Sequence, residues 1–439
     1  MKLKFFAALA VCFFTLLNAG AQEVVSLEEV IALALEKNYD VRLANEASAT
    51  AKTNEDFVWG AFVPQVNGVA STLWNNSDQE LRFQDASRNN SGQAESNNVA
   101  ASIQLNWTLF DGTRMFATRE RVEVMAAQGD LLLKDQMVNT IAQTIATYYD
   151  IVRQKQQLKA ILEQMSVSEE RVKLAQRKLE VGTGVKPELL QARVDYNAQR
   201  TQVIQQESII QQLKMQLNAS VGEQLPSVFE VADTIVINLD LNADDIGGNL
   251  ENTNFGLMSL RENIHTANLS LRERRAEYLP FLNFNAAFNY AQTDNIRTIN
   301  PFSTVYSQQN GFNYGFTLNV PILNGFNTRR LTQLAKIDVN RQTLLFEQAR
   351  TNTNTALKNA YINYDNARKI LLIEEENIGL AKENVFIALE AFKRGVTTFI
   401  ELRTAQESLE VAYTSLIAAR YNAKLAETEL LRISGRLLR

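Results

Sequence analysis

The sequence predicts an α+β membrane protein in which two long coiled-coil hairpins, related by tandem duplication, are joined to four β-strands. Three observations carry this. The chain repeats itself at one fixed offset, long proline-free stretches keep a seven-residue apolar spacing, and alternating apolar and uncharged polar residues precede each such stretch.

The repeat comes first. Shifted by 213 residues, Leu105 falls on Leu318, Gly112 on Gly325, Tyr148 on Tyr361, Gly182 on Gly395, Glu188 on Glu401, Ala192 on Ala405 and Gly222 on Gly435. Pro64 and Pro280 match at 216, so the hairpins after them differ by three residues. Each half should build the same unit.

The long helices follow. From Arg114 to Leu179 there is no proline and one glycine, Gly129. Ile151, Leu158, Met165, Val172 and Leu179 are seven apart, and Tyr364, Leu371, Ile378, Val385 and Phe392 repeat the row. The returning stretches carry Leu189, Tyr196, Val203, Ile210 and Leu217, then Leu402, Leu409, Leu416, Ala423 and Leu430. Such spacing means helices packed side by side with coiled-coil geometry, and 66 residues make a rod about 100 Å long.

The strands precede the rods. Val99, Ala101, Ile103, Leu105, Trp107 and Leu109 alternate with Ser102, Gln104, Asn106 and Thr108. Phe312, Tyr314, Phe316, Leu318, Val320 and Ile322 alternate with Asn313, Gly315, Thr317 and Asn319, and Phe284, Ala286, Phe288 and Tyr290 with Asn283, Asn285 and Asn289. The stretch after Pro64 is weaker: Val66, Ala70 and Trp74 share a face with Gly68 and Thr72. One apolar, aromatic-rich face and one uncharged polar face is the pattern of a barrel strand between lipid and water; a half-buried soluble sheet is the plainer alternative. Asn75–Asn98 and Thr293–Asn310 read as mobile exposed loops. Gly222–Thr253, with Pro226, Gly247 and Gly248, reads as a linker with a short strand around Thr234–Leu239.

Composition narrows the class. Of 439 residues, 46% are hydrophobic and 21% charged, as in a folded protein; six prolines and eighteen glycines are few for an all-β chain. One histidine and one cysteine leave little for a His/Cys metal site or a Ser-His or Cys-His pair, and a net charge of −5 gives no reason to expect nucleic-acid binding. Lys2 and Lys4, the apolar run Phe5–Leu17 and Ala19-Gly20-Ala21 fit a secretory signal peptide cut before Gln22. Removing residues 1–21 takes two of 44 basic side chains, none of 49 acidic ones and the only cysteine, leaving a charge of −7 and a fold held by packing alone. No later segment is long and apolar enough for a membrane helix. His265 reads as a surface residue, Gly182-Thr-Gly184 is too short for a phosphate loop, and Asp244-Asp245 has no companion ligands, so no cofactor is expected.

Four strands cannot close a barrel, and open edges in lipid leave backbone groups unsatisfied, so other copies must complete the wall. Two copies or three would satisfy the count.

The plan resembles that of the TolC family of outer-membrane efflux channels over essentially the whole mature chain. The closest likeness lies at the rod tips, Lys178-Leu-Glu-Val-Gly182-Thr-Gly-Val-Lys-Pro-Glu188-Leu-Leu-Gln-Ala192 and Phe392-Lys-Arg-Gly395-Val-Thr-Thr-Phe-Ile-Glu401-Leu-Arg-Thr-Ala405. The resemblance implies a homotrimer whose 12-stranded barrel in the outer-membrane lipid stands on a periplasmic α-barrel, with a periplasmic adaptor and an inner-membrane pump docking below. The regions would be a signal peptide (1–21), N-terminal periplasmic helices (22–63), a first barrel hairpin (64–110), a first tunnel hairpin (111–222), an equatorial linker (223–253), a helix (254–279), a second barrel hairpin (280–322), a second tunnel hairpin (323–435) and a tail (436–439). The rivals are a periplasmic adaptor, which usually has one helical hairpin flanked by β-domains, and an envelope coiled-coil scaffold.

The expected gate and docking residues are Gly182, Lys186, Glu188, Leu189, Arg394, Gly395, Thr397, Glu401 and Thr404. Gly182 and Gly395 follow the last seam residues by three positions, where glycine can take the left-handed conformation that ends a helix; Pro187 suits a first turn, and Thr398–Glu401 is a possible capping box. The resemblance gives Glu188 the place of a latch acid. It also implies two acids one turn apart after the second tip, but here Glu401 is followed by Thr404. Thr397 stands where the basic latch partner is expected, leaving Lys186 or Arg394 as substitutes.

Overall fold

The computed structural model describes residues 23–226, 228–241 and 250–438. The signal peptide, Asp244-Asp245, Gly247 and Gly248 lie outside the described residues. The elements are β1 (Glu23–Val25), α1 (Leu27–Lys37), α2 (Tyr39–Asp56), β2 (Gln65–Leu81), β3 (Asn90–Phe110), α3 (Arg114–Glu180), α4 (Lys186–Ser220), β4 (Phe229–Val231), α5 (Phe255–Ala276), β5 (Phe281–Arg297), β6 (Tyr306–Asn319), α6 (Asn327–Lys393) and α7 (Phe399–Ile433). Both ends of α3 map onto those of α6 at 213, as do both ends of α4 onto those of α7, so the duplication sets structural boundaries. No described helix is long and apolar enough to cross a membrane. The chain forms two compact units: one gathers the residues up to Ser48, Asp130–Ser259 and those from Glu347 on, the other Ala49–Gly129 and Leu260–Phe346.

The second unit holds one four-stranded antiparallel sheet, ordered β2-β3-β5-β6. Its register sorts the faces as the alternation predicts. Leu105 lies opposite Val66 and Ala286, and Phe284 opposite Trp107 and Phe316, all on one face. Asn285 lies opposite Asn106 and Gly315 on the other, where Asn285 donates to Thr317 Oγ1 at 3.2 Å. The apolar face stands open: Phe312, Tyr314, Phe316 and Leu318 are 63–76% exposed.

The loops are shorter than expected. β2 runs on to Leu81 and β3 starts at Asn90; β5 ends at Arg297 and β6 begins at Tyr306. Much of Asn75–Asn98 and Thr293–Asn310 is therefore strand. These stretches are polar on both faces, so alternation is lost and only the ladder reveals them. The first turn is tightened by Asp85, which accepts from the Ser87 amide at 3.0 Å and its hydroxyl at 2.7 Å.

In the first unit, Val30, Ile145, Tyr148, Ile151, Leu217, Phe229 and Val231 share one core. The strand expected at Thr234–Leu239 lies earlier, at β4, paired in parallel with β1. Residues 234–239 have no strand partner; they lie along the helices, with Ile237 and Leu239 packed against Leu371 and Leu416. The seams of α6 and α7 hold, with Tyr364, Leu371, Phe392, Leu402, Ala423 and Leu430 all buried. In α3 the row shifts near the tip: Met165, Val172 and Leu179 are half-exposed, while Ser168, Arg171 and Ala175 take the deep positions.

Candidate gate and docking site at the hairpin tips

Both hairpins end as the glycines suggest. Gly182 and Gly395 take φ of +78° and +72°, closed to most side chains. The Thr183 and Gly184 amides return to the Lys178 carbonyl at 2.9 and 2.8 Å, and the Val396 amide to that of Ala391 at 2.9 Å. A Cβ on Gly184 would stand 2.8 Å from that of Lys178, so the first tip needs this glycine too. Pro187 sits in the first turn of α4. Thr398 caps α7: its hydroxyl accepts from the Glu401 amide at 3.2 Å, and the Glu401 carboxylate accepts from the Thr398 amide at 3.0 Å.

The other expected site residues separate into three kinds. Leu189 is buried and anchors α4 to the hairpin. Glu401 is engaged within its own turn, accepting the Thr397 hydroxyl as well as the capping bond, and the Thr404 hydroxyl turns back to the Ile400 carbonyl at 3.1 Å. Lys186 and Arg394 are exposed and Glu188 half-exposed; among the described residues of the single chain none of the three forms an ion pair. Neither cation replaces the missing latch partner within a subunit.

The structure instead ties the hairpins through residues that periodicity did not mark. Arg171 is 5% exposed; its guanidinium pairs with Asp195 of α4, donates to Gln406 Oε1 of α7 at 3.0 Å and lies 4.9 Å from the Phe399 ring. Burial pushes the Arg171 pKa down, with Asp195 opposing. A cavity of about 190 Å³ beside it is lined by Gln164, Ser168, Gln199, Arg403 and Glu407. One heptad lower, the Lys178 ammonium sits 4.1 Å from the Phe392 ring, on α6. Higher on the seam between α3 and α7, Tyr413 donates to Glu163 at 2.6 Å and Arg153 lies over Tyr421 at 4.7 Å. Burial and that carboxylate push the Tyr413 pKa up to about 12. The α3–α7 seam, which joins the repeats, is thus cross-linked by polar and cation–π rungs. The sequence signal was an arginine one place off the apolar row, flanked by the small Ser168 and Ala175.

A sheet with one apolar exposed face, in a chain that also builds duplicated hairpins with glycine-turned tips, is the plan of an outer-membrane channel subunit. The outer membrane efflux protein family model matches residues 30–223 and 248–436, and the chain belongs to that family. It is 24% identical over 347 residues to the outer membrane efflux protein BepC of Brucella suis, covering 76% of this chain and 72% of that one. It is 22% identical over 381 residues to the outer membrane protein TolC of Vibrio cholerae, covering 86% and 83%. The solved outer membrane channel CmeC of Campylobacter jejuni superposes with a TM-score of 0.75 at 16% identity, covering 93% of this chain and 85% of that one. The protein is an outer-membrane efflux channel of the Gram-negative envelope, with its helical hairpins on the periplasmic side, and its family is one of channels.

Proposed function

We propose that the chain is one third of a passive exit duct, without catalytic activity, whose hairpin tips close the periplasmic end and receive an adaptor that couples it to an inner-membrane pump. The carrying observation is the four-stranded sheet with an exposed apolar face and, among the described residues, two free edges. Three copies supply twelve strands. Leu334, Ile337, Ile362, Ile370, Leu380 and Phe386, all at least half-exposed along α6, give neighbouring copies apolar surface to cover.

The polar α3–α7 seam supports opening at the tips. Each rung exchanges protein contacts for water at a net cost of about 1 kcal/mol, so the seam can part stepwise while the apolar α6–α7 core stays closed. Detergent extraction followed by planar-bilayer recording tests the reading: a trimer with discrete conductance steps is expected, and a water-soluble, non-conducting monomer would overturn it.

A further inference from the structure

The lower rim of the sheet, where strands give way to helices, treats the two repeats differently. Trp107, on the apolar face of β3, donates its indole N–H to the Phe62 carbonyl at 2.9 Å. This fixes the single turn Val58–Phe62 against the face that meets lipid. Trp59, Phe62 and Phe116 form a row with ring centroids 5.3 Å apart at each step, and the Arg119 guanidinium stacks 4.2 Å over Trp59. Phe57 and Trp59 are 76% and 53% exposed, so the first repeat presents aromatic rings at the bilayer boundary.

The duplication says what stands at the matching places in the second repeat. α2 and α5 begin 216 residues apart, as do β2 and β5, and α3 and α6 begin 213 apart. By these offsets Trp59 corresponds to Arg275, Phe62 to Tyr278 and Phe116 to Arg329. Where the first repeat has three rings, the second has two arginines and a tyrosine at the matching sequence positions, Arg275 within α5 and Arg329 in the first turn of α6. Arg275, Tyr278 and Arg329 are exposed, and among the described residues neither arginine forms an ion pair. The nearby acids are already engaged: Glu120 with Arg272, Glu273 with Arg121 and Glu277 with Arg274. The first turn of α6 carries no acid, so Arg329 also faces the positive end of its own helix.

We propose that Arg275 and Arg329, with Tyr278 between them, hold the phosphate of an anionic phospholipid in the periplasmic leaflet, once per subunit, beside the aromatic sector of the first repeat. The site continues the lipid-facing surface of the barrel downward to headgroup level, where bilayer phosphates lie and two unpaired guanidinium groups gain charge-assisted hydrogen bonds. The proposal rests on the apolar face of the sheet meeting lipid, and goes beyond the duct reading in naming a lipid class.

The purified channel is reconstituted in nanodiscs of phosphatidylcholine with a minor fraction of phosphatidylglycerol, and the lipids it retains on release are weighed by native mass spectrometry. Conductance in parallel bilayers checks insertion separately, so loss of insertion would count against the barrel reading and not this one. The unmodified channel should retain phosphatidylglycerol in preference to phosphatidylcholine, and R275Q/R329Q should lower that preference at least about fivefold. Trp59→Ala should reduce retention of both lipids without changing their ratio. If the double variant does not assemble, Arg275→Gln and Arg329→Gln are measured singly, each expected to lower the preference. Equal retention of the two lipids by the unmodified channel, or an unchanged ratio in the arginine variants, overturns the proposal.

Discussion

Glu401 serves first as a helix cap, and that limits what else it can do. Its carboxylate already accepts the Thr398 amide and the Thr397 hydroxyl, and the residue one turn on, Thr404, offers a hydroxyl committed to Ile400. In the proposed duct a trimer would place three partly engaged carboxylates at its entrance. Block by a trivalent cation from the periplasmic side should be weak, and Thr404→Asp should strengthen it on the order of tenfold. Nanomolar block of the unmodified channel in bilayer recordings would contradict this. Arg171 gives a second prediction. Arg171→Met strands Asp195, whose side chain is 19% exposed, and should cost toward the lower end of ~3–5 kcal/mol. The expected result is a lower unfolding temperature and higher closed-state conductance. Adding Asp195→Asn removes the stranded charge and should recover much of the stability but not the closed state. Recovery of both would make Arg171 a packing residue with no part in holding the tips.

At the scale of elements, the connector between the repeats acts as a strap gripped by equivalent positions of both hairpins. Lys155 donates to the Val231 carbonyl at 2.9 Å, and Arg368, its counterpart at 213, donates to Leu239 at 3.3 Å. Lys214 donates to the Phe229 carbonyl at 2.6 Å, while Glu427, again 213 later, accepts from the Asn238 amide at 3.1 Å. The gripped positions of the strap thus recur after eight residues for the Lys155–Arg368 pair, from Val231 to Leu239, and after nine for Lys214–Glu427, from Phe229 to Asn238. Burial alone would raise the Glu230 pKa, but ion pairs to Lys214 at 2.6 Å and Lys155 at 2.9 Å hold it below the usual 4.5. Because the folded value is depressed, the stabilisation is present above the unfolded value and fades as pH falls through the folded one. Limited proteolysis should therefore cut the connector faster below about pH 4.5, and Glu230→Gln should flatten that dependence. Cleavage that does not change with acid would remove Glu230 from the grip, leaving Asp233 at 2.8 Å as the partner of Lys155. The sequence marked the linker and a short strand within it, but none of these grips. The strap's partners lie 15 to 189 residues away along the chain, and periodicity reports only on neighbours. The helix ends, by contrast, were legible because Gly182, Gly395, Pro187 and the Thr398–Glu401 box act within one turn. The lower α3 seam was misread because small Ser168 and Ala175 let Arg171 take a deep place that an apolar count assigns to Val172.

The whole molecule depends on what happens at two edges. Among the described residues β2 and β6 each have one side without a strand partner, and one exposed face of the sheet is apolar. In hydrocarbon each unpaired backbone group costs several kcal/mol, far more than a domain's net stability can absorb over two strands, so β2 of one subunit must meet β6 of the next. The strand arithmetic alone left two copies or three; family membership and not composition favours three. The mature sequence has no cysteine, since Cys12 lies in the predicted signal peptide, so engineered thiols report without background. Ser71→Cys on β2 and Gly315→Cys on β6 place one thiol on each edge strand, on the polar face of the sheet. Joined in membranes by a flexible bismaleimide, the double variant should give a covalent ladder that stops at three chains, while each single variant stays monomeric on a denaturing gel. A ladder ending at two would make the barrel eight-stranded. A single-chain product alone would mean that one polypeptide brings its own edges together, and the shared wall would have to be abandoned.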